Sequence, residues 1–73
     1  MNATVESVDL SVNGEMRAFP GPLTVTGLMA ALALDPRKVA VELNREIVPR
    51  SRYAAVGLRS GDMLEIVHFI GGG

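Results

Sequence analysis

Three consecutive glycines, Gly71-Gly72-Gly73, follow the largely apolar run Met63-Leu64-Glu65-Ile66-Val67-His68-Phe69-Ile70. Glycine has no Cβ, so such a segment can pass through a slot that would stop any other residue, and three glycines span at most about 10 Å when extended. At its tip Gly73 would present a main-chain carboxylate, whose reference pKa of about 3.3 to 3.7 leaves it ionised at neutral pH and a competent oxygen nucleophile. Reactive side chains are sparse by comparison. The sequence has no cysteine, which excludes disulfides, iron-sulfur clusters, thiolate zinc sites and a cysteine nucleophile. The single histidine, His68, has no companion at a metal-ligand spacing and reads as structural. Ser51 lacks a histidine base, so a serine nucleophile has no support. Asp62 after Gly61 reads as a turn residue, and Arg45, Arg50, Arg52 and Arg59 as solvated charge able to answer acids on a partner.

Seventy-three residues, 48% hydrophobic and 21% charged, describe one small folded domain over 1–73, with 71–73 as a flexible glycine tail. A chain of this size buries only about 60% of the surface its unfolded form exposes, so the core must be simple. It is too apolar for intrinsic disorder and has no apolar run of transmembrane length. A formal net charge of −1 provides no positive field for nucleic acid or an anionic membrane, and neither is expected as a partner. Residues 1–36 carry one basic side chain against four acidic ones and the remainder six against four, an asymmetry too small to name a partner. The opening residues Met1 to Glu6 lack the cationic start and apolar middle of a signal peptide, which points to the cytoplasm.

The elements that must position the tail follow from periodicity. Val8, Leu10 and Val12 alternate with Asp9 and Ser11 as a strand with one buried face. Asn13-Gly14 suits a type I′ hairpin turn, in which both central residues need positive φ. The chain should return over Glu15 to Phe19 and stop at Pro20-Gly21-Pro22, where two of three residues lack an amide proton. Thr24 is a helix N-cap candidate, and Val25, Leu28, Met29 and Leu32 fall on one helical face. Gly27 weakens that helix by about 0.5–1 kcal/mol relative to alanine, so packing must hold it. Asp35-Pro36 should end it. Val39, Val41 and Leu43 form a third strand, Asn44-Arg45-Glu46 a turn, and Ile47-Val48 a short edge strand closed by Pro49. Ser51 is read as the cap of a short helical turn from Tyr53, a core flank, to Val56. Ser60-Gly61-Asp62 then turns into a last strand, Met63 to Ile70.

A hairpin, a helix, two strands and a final strand, with a crossover long enough for parallel pairing, place the first and last strands side by side at the sheet centre. The fold class is therefore α+β, a β-grasp (ubiquitin-like) roll: a mixed sheet of four to five strands with one main helix across it. Leu64 and Ile66 should face the helix, leaving Glu65, Val67 and Phe69 on the solvent face, with Ile70 able to serve either. Val67, Phe69, Ile70, Gly71 and Gly72 thus form the expected partner-binding stretch, and Gly73 the reacting end.

Val39-Ala40-Val41-Glu42-Leu43-Asn44-Arg45-Glu46-Ile47-Val48-Pro49-Arg50 and Gly61-Asp62 through Gly72-Gly73 resemble the middle and the ending of the ThiS family, ubiquitin-like sulfur carriers of thiamine biosynthesis. The resemblance spans nearly the whole chain, although Val5 to Arg17 matches only in pattern. It implies that a ThiF-like adenylating enzyme activates the Gly73 carboxylate as an acyl adenylate. Sulfur from a persulfide donor protein would then displace AMP to leave a thiocarboxylate, and thiazole synthase would receive the sulfur. The chain would be a protein substrate, not an enzyme, with no cofactor of its own; ATP and magnesium would be held by the adenylating partner, consistent with the lack of a phosphate-binding Gly-rich loop here. The small subunit of molybdopterin synthase, a ubiquitin-like modifier joined to lysines and a binding module with an inert end are the alternatives, and the Val39 to Arg50 segment favours the thiamine branch over the first.

Overall fold

The computed structural model describes residues 6–69. Strand β1, Ser7–Val12, buries Val8, Leu10 and Val12 in strict alternation. It pairs antiparallel with β2, Glu15–Pro20, from Ser7↔Pro20 to Val12↔Glu15. The connecting Asn13 and Gly14 have φ of 50° and 84°, the positive pair that a type I′ turn requires. A two-residue strand β3, Leu23–Thr24, leads into helix α1, Val25–Ala31.

Thr24 caps the helix: its Oγ1 accepts from the Gly27 amide at 3.0 Å. Two further orphan amides of the first turn find carbonyls elsewhere, Val25 N–H donating to Val56 O at 3.1 Å and Thr26 N–H to Tyr53 O at 3.0 Å. The 53–56 segment is thereby tied to the helix start. Gly27 packs closely there: a Cβ would lie 3.1 Å from Leu23 Cδ1, so a larger residue requires that leucine to shift.

The helix stops at Ala31 rather than reaching Asp35-Pro36 as the sequence suggests. Ala33 takes φ of 57°, Leu34 N–H donates to Met29 O at 2.9 Å and Ala33 N–H to Ala30 O at 3.1 Å. This is a Schellman closure formed on alanine instead of glycine. Asp35 then caps a separate 3-10 turn, Pro36–Lys38, by accepting from the Arg37 amide.

Strand β4, Val39–Leu43, turns through Asn44 and Arg45 into the short β5, Glu46–Val48. A 3-10 turn, Arg50–Arg52, follows with Pro49 at its N-cap position and no side-chain cap, so Ser51 sits inside this turn rather than capping one over Tyr53 to Val56 as expected. The chain continues through β6, Gly57–Leu58, which pairs with β3, to the last strand β7, Met63–His68. The main sheet has the order β2-β1-β7-β4-β5. β7 runs parallel to β1 and antiparallel to β4, so the first and last strands are central, as expected, and β5 is an edge. The β3–β6 ladder, two residues a side, leaves no periodic signal and is not foreseen.

One core unites these elements. Leu10, Val25, Leu28, Val41 and Leu64 are fully buried, and Tyr53 and Phe19 close its flanks. Truncating a leucine at such a position costs about 2–5 kcal/mol. Apart from the phenol of Tyr53, no polar or charged side chain among the described residues is buried in the core.

Candidate functional site

The last strand carries the expected site, and its alternation is as foreseen. Leu64 and Ile66 are buried against the helix side, whereas Glu65, Val67 and Phe69 are exposed. Val67 stands opposite Ala40 of β4, and the ladder continues one residue past the strand, where Phe69 N–H donates to Lys38 O at 2.9 Å. Val67 is 61% and Phe69 55% exposed. Two large apolar side chains near the end of this strand are thus left open to water. The remaining members, Ile70, Gly71, Gly72 and Gly73, lie outside the described residues, as does the assignment of 71–73 as a tail.

Ile47, 73% exposed on β5, faces the same way from Glu42↔Ile47, and Met16 from the other side of the sheet through Ser11↔Met16. No local sequence pattern singles out either residue. Their strands read as ordinary short segments, and only the register shows that Met16, Ile47 and Val67 share one face. Between them Glu42 and Glu65 make the middle of that face acidic.

The strand is anchored by two asparagines, one from each hairpin. Asn44 Nδ2 donates to Asp62 Oδ1 at 3.1 Å, and Asn44 Oδ1 accepts from Met63 N–H at 2.9 Å. Asp62 is a turn residue, as expected; its Oδ2 accepts from Arg59 N–H at 2.9 Å. Asn13 Oδ1 accepts from Ile66 N–H at 2.7 Å, and its Nδ2 donates to Ile66 O at 3.1 Å. Sequence reasoning finds Asn13 and Asn44 as turn formers but not these side-chain bonds, which depend on where β7 lies.

His68 is exposed at the end of β7 and borders, with Asn13, Glu15 and Arg17, a cavity of about 260 Å³ floored by Leu32, Leu34 and Ile66. Among the described residues no group of three or more His, Cys, Asp or Glu could hold a metal ion, and no helix is long and apolar enough to cross a membrane. Of the four arginines read as surface charge, Arg50 donates from Nε to Pro36 O at 2.9 Å. The ion pair among the described residues joins Arg37 to Asp35 at 3.1 Å. The side-chain hydrogen bond from Arg37, helped by its amide, holds the Asp35 carboxyl down at about 2, and the same pairing raises the Arg37 guanidinium.

Known proteins share this architecture. Residues 10–73 match the ThiS family. A thiazole synthase of Paramagnetospirillum magneticum is 58% identical over 64 residues, 88% of this chain but 20% of that protein. The sulfur carrier protein ThiS of Bacillus subtilis is 46% identical over 50 residues, 68% of this chain and 76% of that one. The crystal structure of the thiamine biosynthesis protein ThiS of Geobacter metallireducens superposes with a TM-score of 0.78 at 38% identity, over 90% of this chain and all of that one. The chain thus spans about a fifth of the thiazole synthase it matches.

Proposed function

The chain belongs to the ThiS family, and on that premise we propose that it is a sulfur carrier of thiamine biosynthesis whose reacting group is the Gly73 carboxylate. It is a substrate of other enzymes rather than a catalyst. A carboxylate is a poor electrophile, so it must first be activated. A carboxylate oxygen of Gly73 attacks the α-phosphorus of ATP, pyrophosphate leaves, and an acyl adenylate results. The terminal sulfur of a persulfide donor protein then attacks the acyl carbon and expels AMP, leaving an acyl disulfide. A thiol cleaves its S–S bond, so that the thiol and the donor sulfur leave as a disulfide and the chain keeps a C-terminal thiocarboxylate. That sulfur is a better nucleophile than the oxygen it replaces, and thiazole synthase consumes it.

In this reading ATP and magnesium belong to a ThiF-like adenylating enzyme, and the reactions take place in the cytoplasm. Gly71 and Gly72 thread the enzyme's channel because no Cβ obstructs them, while Val67, Phe69 and Ile70 dock against its surface. The observation that carries the proposal is the family match running through Gly73, on a chain whose central strand β7 ends at His68, a few residues earlier in the sequence. Relatives named thiazole synthase support the choice of sulfur acceptor.

The test is ATP–pyrophosphate exchange by the adenylating enzyme, with the chain as varied substrate. The full chain should support exchange, and deletion of Gly72 and Gly73 should abolish it. Equal exchange with and without those two residues would refute Gly73 as the activated group.

A further inference from the structure

We infer that Asn13 is a positioning residue: its carboxamide, standing in for a missing length of strand, fixes the direction in which β7 leaves the sheet and so how the tail is offered to the adenylating enzyme. The inference rests on the carrier reading above. Parallel pairing between β1 and β7 covers only Ser11↔Met63 and Val12↔Leu64. At Asn13 the first strand reverses into its hairpin, and its last main-chain bond to β7 runs from Asn13 N–H to Leu64 O at 2.9 Å. Beyond that point β1 has no backbone to offer. The Asn13 side chain takes over, accepting from Ile66 N–H at 2.7 Å and donating to Ile66 O at 3.1 Å.

A carboxamide has the same donor and acceptor as a peptide group, so the side chain extends the ladder along the same edge of β7. On the opposite edge the ladder with β4 reaches Val39↔His68 and ends on the Phe69 bond to Lys38. The outgoing strand is therefore held on one edge as far as Phe69 and on the other as far as Ile66. With one grip removed it can splay away from β1, and a strand that spends less time in the competent direction binds more weakly by that fraction.

The bland alternative is that Asn13 serves only its turn, since φ of 50° suits asparagine. The two roles separate by substitution. Asn13→Gly keeps the turn, because glycine adopts positive φ without steric cost, and deletes the clamp. Asn13→Asp keeps the acceptor for Ile66 N–H but sets a carboxylate oxygen against Ile66 O.

The experiment is ATP–pyrophosphate exchange on the full chain, with amide hydrogen exchange at Ile66 followed in parallel. For Asn13→Gly we expect faster exchange of the Ile66 amide, a KM for the carrier raised about three- to tenfold and a kcat within about twofold of the unsubstituted chain. Asn13→Asp should fall between the two. Val48→Ala, a core truncation on β5, is the control for general destabilisation and should leave KM unchanged. A KM within about twofold while the Ile66 amide is freed would overturn the inference, and so would an equal KM rise in Val48→Ala. If Asn13→Gly does not fold, Asn13→Asp is read in its place; failure of both to fold makes Asn13 a structural residue and overturns it too. No exchange with the unsubstituted chain brings down the carrier reading and this inference with it, an outcome distinct from a loss confined to the Asn13 variants.

Discussion

Glu42 and Glu65 stand directly opposite one another on the antiparallel β4–β7 pair, two carboxylates on the sheet face turned away from the helix. Like charges in this relation destabilise a sheet, by about 0.2–1 kcal/mol per pair. Glu65→Gln should therefore raise the unfolding free energy by a few tenths of a kcal/mol, up to about 1, and the gain should shrink in high salt. Urea denaturation at low and high ionic strength checks this; a loss of stability would contradict it. Because the pair lies beside exposed Val67 and Ile47, the same variant should bind a partner less well if that partner sets a basic side chain there.

The two hairpins make the same turn with different residues. Asn13-Gly14 supplies glycine at the second positive-φ position, whereas the β4–β5 turn places Arg45 there at φ of 72°. A side chain in left-handed backbone costs about 1–2 kcal/mol, partly offset by the greater freedom glycine loses on folding. Arg45→Gly should stabilise the protein by about 0.5–1 kcal/mol. An unchanged or lowered denaturation midpoint would mean that the arginine is not strained or that it makes a compensating contact.

Asp35 gives the molecule a defined acid response. Its carboxyl lies at about 2 in the folded protein against an ordinary 3.8, chiefly through the side-chain hydrogen bond from Arg37. A depressed carboxyl contributes stability that is fully present above its unfolded value and is lost as pH falls through its folded one. That contribution should therefore disappear between 3.8 and about 2. Arg37→Ala should flatten this part of the stability profile by lowering stability above pH 3.8 by the same amount, a small one because the pair is exposed. A profile identical to that of the unsubstituted chain would show that the ion pair does not form in solution.

Phe69 is 55% exposed on backbone fixed by its own bond to Lys38. Phe69→Ala should leave the melting temperature nearly unaltered and weaken binding to the adenylating enzyme by about 1 kcal/mol or more, as truncation of an aromatic anchor does. Titration calorimetry distinguishes the outcomes, and unaltered affinity would remove Phe69 from the interface.

What could be read from the sequence was set by local rules. The Val8-Leu10-Val12 alternation, the Asn13-Gly14 turn, the Thr24 cap and the burial of Val25, Leu28 and Met29 depend on a few neighbouring residues, and all appear as expected. The β-grasp topology followed because a helical crossover allows few arrangements. The early helix stop could not be read, since it uses Ala33 in a conformation where glycine would be the signal. Nor could the Asn13 and Asn44 bonds to β7, which join residues distant in sequence, or the common face of Met16, Ile47 and Val67, which only register reveals. The closing glycines are legible in the sequence as an unobstructed segment, and the family match runs through Gly73.

Sulfur carriage comes down to one atom at the Gly73 carbonyl. Incubation of the full chain with ATP, magnesium, the adenylating enzyme, a persulfide donor and a thiol, followed by intact-mass spectrometry, tests it directly. A Gly73 carrier should gain the mass of sulfur replacing oxygen, confined on fragmentation to that residue and absent when ATP is withheld. An unchanged mass, or a gain located at any other residue, would contradict it.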